Sequence, residues 1–176
     1  MRAWHWSMMM VAMVATTSLA QAQSRKLTDT PLSTGILMGF STITYDGAGT
    51  FAAFSMEMPV EYTFKAGPGD VALHFGLMLN AGKGGMVSLA LPMGARYKIR
   101  LMHGTPLYAY PLLDLGPVLD PKAGTASGLL RVGGGLSYLV HKNVELLFQP
   151  LGLGAVFNAD GGAFIFNFLT GAQFRF

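Results

Sequence analysis

From about residue 33 to the C-terminus, apolar and polar positions alternate with a period of two, the pattern of strands whose two faces meet different surroundings. The last segment is the clearest. Phe164, Phe166, Phe168, Thr170, Ala172, Phe174 and Phe176 fall on one face, and Ile165, Asn167, Leu169, Gly171, Gln173 and Arg175 on the other. The fourth segment opposes Val87, Leu89, Leu91, Met93, Ala95, Tyr97, Ile99 and Leu101 to Ser88, Ala90, Pro92, Gly94, Arg96, Lys98 and Arg100. The second, third and sixth divide in the same way, with Tyr62 opposed to Glu61, Phe75 to His74 and Val132 to Arg131.

Clusters rich in Gly, Asn, Asp and Pro separate these segments: 45–50, 65–70, 80–85, 102–104, 120–125, 141–143 and 158–162. Such residues permit tight reversals. The breaks leave eight segments, each long enough to cross a bilayer as a tilted strand of about 9–11 residues. Segments 33–44, 105–117 and 144–157 alternate less cleanly. Pro111 and Pro150 each lack a ladder donor, which predicts a bulge or local irregularity at both.

The chain opens differently. Arg2 precedes an apolar run from Met8 to Ala15, and Ala20-Gln21-Ala22 supplies a small-x-small cleavage pattern. The run is too short for a spanning helix. The expectation is an export signal over residues 1–22, cut after Ala22, leaving one domain over 23–176. Charged residues make up only 12% of the chain while 51% are hydrophobic, against about 25% charged in a typical soluble domain. With no spanning helix after the signal, the structure that lipid still allows is a closed barrel. Losing Arg2 with the signal lowers the formal net charge from +3 to +2, too weak and too scattered for a nucleic-acid partner. The absence of cysteine removes disulfides, thiolate metal sites and a lipoprotein anchor.

The less apolar stripe decides which face looks inward. It is built mainly from Gly, Ala, Ser and Asn with a few charges, which suits the crowded interior of eight strands and makes a poor water-facing surface. The expected fold is therefore all-β: an eight-stranded antiparallel transmembrane barrel, an up-and-down meander with both termini periplasmic. In that arrangement Tyr62, Phe64, Tyr97, Tyr138, Phe174 and Phe176 fall at periplasmic strand ends, and Phe157 and Phe164 near the opposite rim, as two aromatic girdles.

The C-terminal AQFRF, with Phe166, Phe168, Phe174 and Phe176 on one face, and the preceding GGGLSYLVHKNVELLFQP, resemble the ending of small eight-stranded bacterial outer-membrane β-barrel proteins. The resemblance implies that the last strand closes the barrel and that Phe174 and Phe176 form the signal read by the barrel assembly machinery. It also implies an outer-membrane location, among outer-membrane lipids and lipopolysaccharide. Unlike many such proteins, this chain has outward loops as short as its periplasmic turns, which argues against an adhesin or receptor role.

The ionisable residues expected inside are Glu57, Glu61, Arg96, Lys98, Asp114, Arg131, Glu145 and Arg175. Reflection about the turns puts Asp114 nearly opposite Arg131 and Glu145 near Arg175, with Glu57 and Glu61 at similar depths to Arg96 and Lys98. They form either the lining of a gated channel or a structural salt-bridge network. The network is the reading adopted, because eight strands leave little lumen beyond side chains. His74 is expected to face inward alone, with His103 and His141 in periplasmic turns. Ser88 lies on a strand adjacent to that of His74, leaving open a lipid A-modifying site that would need the two within hydrogen-bond reach. The glycines of 131–137 lack the lysine and helix of a phosphate loop. The expected protein is thus a structural component of the cell envelope, not an enzyme, with no cofactor or metal. A narrow solute or ion pore, a lipid A-modifying barrel and a soluble lipocalin-like binder are the alternatives.

Overall fold

The computed structural model describes residues 26–45, 49–82, 87–121, 124–158 and 161–176; the expected export signal and its cleavage point lie outside them. The described strands are β1 (Leu32–Tyr45), β2 (Gly49–Ala66), β3 (Gly69–Gly82), β4 (Val87–Ala90), β5 (Met93–Arg100), β6 (Leu107–Asp120), β7 (Thr125–His141), β8 (Val144–Asn158) and β9 (Gly161–Arg175), preceded by a 3-10 turn over Leu27–Asp29. All pairings are antiparallel. β1 also pairs with β9, from Ser33↔Arg175 to Tyr45↔Ala163, and this closes the sheet into a ring.

Nine strands make eight crossings, because the fourth is interrupted at Leu91 and Pro92. Pro92 lacks the donor a ladder needs. The gap shifts no register: Asn80↔Ser88 before it and His74↔Gly94 after it belong to one continuous alignment. The carbonyl of Pro92 still accepts from Gly76 N at 2.8 Å, and Leu91 N donates to Pro117 O at 3.0 Å.

The two prolines singled out from the sequence behave differently. Pro111 pairs with Gly134 on β7 without a shift. Towards β5 the ladder skips from Arg96↔Leu112 to Ile99↔Ala109 in unchanged register, an interruption and not a bulge. At Pro150 the register shifts between Gln149 and Gly152 against β9. Pro150 and Leu151 are both exposed, so Glu145, Leu147 and Gln149 point inward before the bulge and Gly152 and Gly154 after it. That change of parity is why the seventh segment does not alternate cleanly.

The faces divide as the stripe composition requires. Ile36, Phe40, Phe54, Leu73, Phe75, Met93, Leu113, Leu115, Val132, Leu151, Phe164 and Phe174 are among the large apolar side chains left exposed around the ring. So broad an apolar surface is foreign to a soluble monomer and is the lipid-facing band of a transmembrane barrel. No helix among the described residues is long and apolar enough to cross a membrane. Tyr62, Phe64, Tyr97, Tyr138, Phe174 and Phe176 cluster at the end where β1 begins and β9 finishes, here called the terminal mouth. Phe157 and Phe164 lie towards the opposite, distal mouth.

Inward glycines let so small a ring coil tightly. A Cβ on Gly39 would overlap the carbonyl oxygen of Phe168 across the β1–β9 seam, and one on Gly94 would overlap that of Leu113.

Candidate functional site

All eight ionisable residues expected inside are in the lumen, each with no exposed surface. They form one continuous chain of ion pairs. At the terminal mouth Arg175 on β9 pairs with Glu145 on β8. The other oxygen of Glu145 lies 2.8 Å from Lys98 Nζ, which also reaches Glu61 at 3.0 Å. Glu61 pairs closely with Arg96, and Arg96 Nη2 lies 3.5 Å from Glu57. Glu57 takes Arg131 Nη1 at 2.7 Å, and Arg131 completes the chain with Asp114 at 2.6 Å. Four carboxylates meet four cations, so no charge in the chain is left without an opposite partner.

Which strands these residues occupy shows what the chain does. Asp114 and Arg131 are direct partners on β6 and β7, the pairing expected from reflection about the turn. Arg131 on β7 also reaches Glu57 on β2, and Lys98 on β5 reaches Glu145 on β8. Those strands are not neighbours in the sheet, so the contacts cross the lumen and fill it. Reflection about single turns brings together only adjacent strands and does not reveal them.

His74 does not face inward alone. Its Nε2 lies 2.9 Å from Glu57 and its Nδ1 3.6 Å from Glu61, because these residues alternate on one face of adjoining β2 and β3. Nor does the fold bring His74 to Ser88. Ser88 pairs with Asn80, six positions along β3 from His74, or roughly 20 Å at a strand's rise per residue. Ser88 instead accepts from Asn80 Nδ2 at 3.2 Å, within a cluster where Ser41 bonds Ser55 and Ser55 donates to Asn80 Oδ1 at 2.6 Å.

Several lumen residues are apolar, among them Ala90, Ile165 and Leu169 of the less apolar stripe. Leu37, Tyr110, Leu112, Leu147 and Leu169 form a buried apolar cluster beside the charges. The Arg96 guanidinium lies 5.4 Å from the centre of the Tyr110 ring. Towards the distal mouth Met78, Ala90, Val118 and Leu129 form a further cluster, and Ile43, Ala53, Ala163 and Ile165 another. Their only sequence signal is an apolar residue out of phase with its own segment, as with Leu169 among Asn167 and Gln173.

The segment ahead of β1 packs into the terminal mouth. Leu27 is fully buried against Tyr108 and Leu139. Arg175 Nη2 donates to the carbonyls of Leu27 at 2.8 Å and Thr30 at 2.9 Å, and to Thr63 Oγ1 at 3.1 Å. Thr30 Oγ1 donates to Lys142 O at 3.1 Å. Leu27→Ala is expected to lower stability by about 2 kcal/mol, the low end for a buried leucine because this one sits at a rim. The shift of the urea midpoint in detergent, read by circular dichroism, checks it; an unchanged midpoint would mean that the segment does not seat Leu27.

No family model matches the chain, and no curated protein matches its sequence. Solved structures do match in shape. Neisserial surface protein A, at 16% identity, superposes over 82% of this chain and 97% of its own with a TM-score of 0.65. The fold is that of the small eight-stranded outer-membrane β-barrels. The N-terminal barrel domain of Pseudomonas aeruginosa OprF matches at 17% identity over 82% of this chain and 97% of that one, TM-score 0.51. The attachment invasion locus protein Ail of Yersinia pestis matches at 16% identity over 83% and 97%, TM-score 0.50. At these identities the barrel architecture is what is shared.

Proposed function

We propose that this chain is an integral outer-membrane protein whose barrel is a closed structural element of the envelope, not a conduit. The carrying observation is the ion-pair chain that crosses the lumen from Arg175 to Asp114 through fully buried side chains. An open pore needs charges that are hydrated, whereas here each carboxylate has a cation against it and apolar clusters lie on the distal side. Under this reading residues 1–22 direct export and are removed, and the terminal mouth faces the periplasm. Phe174 and Phe176 present the last strand to the assembly machinery, and outer-membrane lipids and lipopolysaccharide surround the apolar band. The chain carries no catalytic role.

Planar-bilayer recordings test it. The wild-type barrel is expected to show no discrete conductance steps, while removing the cross-lumen pair in Glu57→Ala/Arg131→Ala is expected to admit ions. Regular unitary steps from the wild type would overturn the sealed lumen. Fractionation of expressing cells, with membranes run on gels with and without heating, tests the location separately: a heat-sensitive band in the outer membrane is the expected result.

A further inference from the structure

The terminal mouth carries a cavity of about 630 Å3 that meets the ion-pair chain at Lys98. Among the described residues Lys26, Lys65 and Arg100 line it, beside the imidazole of His103, against one acidic residue, Asp70. Lys98 forms its floor but is already held by Glu61 and Glu145. Asp70 is 3.6 Å from the Lys65 ammonium, whose side chain remains 61% exposed. Arg100 is held in place: its guanidinium lies 5.3 Å from the centre of the Tyr108 ring, and Nη2 donates to the Tyr108 hydroxyl at 2.8 Å. The cavity is thus cationic on its lumen side.

Its other side is apolar and turned towards the bilayer. Leu101 and Met102 line it and are 49% and 55% exposed. Leu101 continues the lipid-facing series of Met93 and Ile99 past the end of β5. Cations beside apolar side chains at the membrane interface match an amphiphile, with the charged group in the mouth and the hydrocarbon along the wall. A soluble phosphate would use only the first half of that surface.

We propose that this cavity binds the phosphate headgroup of an anionic phospholipid from the adjoining leaflet. The segment over 26–31 is part of the site, because it brings Lys26 to one wall. The proposal rests on the membrane-embedded reading given above.

Native mass spectrometry of the purified full barrel, offered phosphatidylglycerol or phosphatidylcholine in detergent, tests it. Two surface-exposed lysines at a membrane interface contribute enough for the wild type to retain phosphatidylglycerol about tenfold better. Lys26→Gln/Lys65→Gln is expected to lose that preference, and Lys142→Gln, at the same mouth but off the cavity, to keep it. Equal retention of the two lipids by the wild type would overturn the site. So would an equal loss in Lys142→Gln, which would mark general charge attraction. Glycerol 3-phosphate binding as tightly as the lipid would overturn the lipid as its source. The unheated gel shift separates the two readings: a wild type without a shift overturns the barrel and this site together, whereas a shifted wild type without lipid preference overturns the site alone.

Discussion

Replacing Arg131 by alanine is expected to cost the barrel about 3–5 kcal/mol, the range for removing one partner of a buried ion pair. Arg131 donates through Nε and Nη2 to Asp114 at 2.9 and 2.6 Å, and through Nη1 and Nη2 to Glu57 at 2.7 and 3.2 Å. Its removal leaves Asp114 with no other cation in hydrogen-bond contact among the described residues, and Glu57 with only His74 and the longer Arg96 contact. Both carboxylates are fully buried, so water cannot readily replace the guanidinium. The triple change Glu57→Gln/Asp114→Asn/Arg131→Met removes charge on both sides together and is expected to recover most of the loss, because the penalty lies in the unpaired ions and not in the missing attraction. Urea unfolding in detergent, followed by circular dichroism, measures both. If Arg131→Ala costs less than about 1 kcal/mol, the lumen admits enough water to hydrate the freed carboxylates, and the sealed reading fails with it.

Gly39→Ala is expected to cost about 3 kcal/mol, at the upper end for inserting volume where packing cannot yield. The obstacle is backbone. The added Cβ would overlap the Phe168 carbonyl oxygen, and the carbonyl carbon behind it lies 2.9 Å away. A flexible side chain could turn aside, but this oxygen belongs to the strand that closes the ring, where Gly39 pairs with Leu169. Gly154→Ala is the matched control. Its Cβ would meet Leu130 O at 3.4 Å, an ordinary contact, and the cost is expected to stay below about 1 kcal/mol. Equal midpoints for the two variants would show that the seam can open to take a methyl group.

These two sites differ in how far the sequence announces them. Asp114 and Arg131 are legible as a pair because they flank a single turn at equal distances. The reach of Arg131 to Glu57 is not, since 74 positions separate the two and their meeting depends on the curvature of the closed sheet. Gly39 reads as one more small residue in a mixed segment until the neighbouring strand is in place. Pro92 shows the opposite failure. A proline within an alternating run is a visible signal of a missing ladder bond, yet the alternation of β4 and β5 passes through it undisturbed, and the interruption leaves the register intact.

What the sequence determined by itself was the set of local properties. The period of two, the turn clusters and the low charge content fixed antiparallel strands, their number of crossings and which face meets lipid, because each depends on a residue and its immediate neighbours. The tertiary structure decided what faces what across the lumen. It gave His74 its carboxylates, drew the segment around Leu27 into the terminal mouth and joined four acids and four bases into one chain. It also turned the eighth strand over at Pro150, so that Gly152 and Gly154 face the lumen. Contacts across a barrel depend on strand stagger and curvature, which are properties of the closed ring as a whole and leave no period in the sequence.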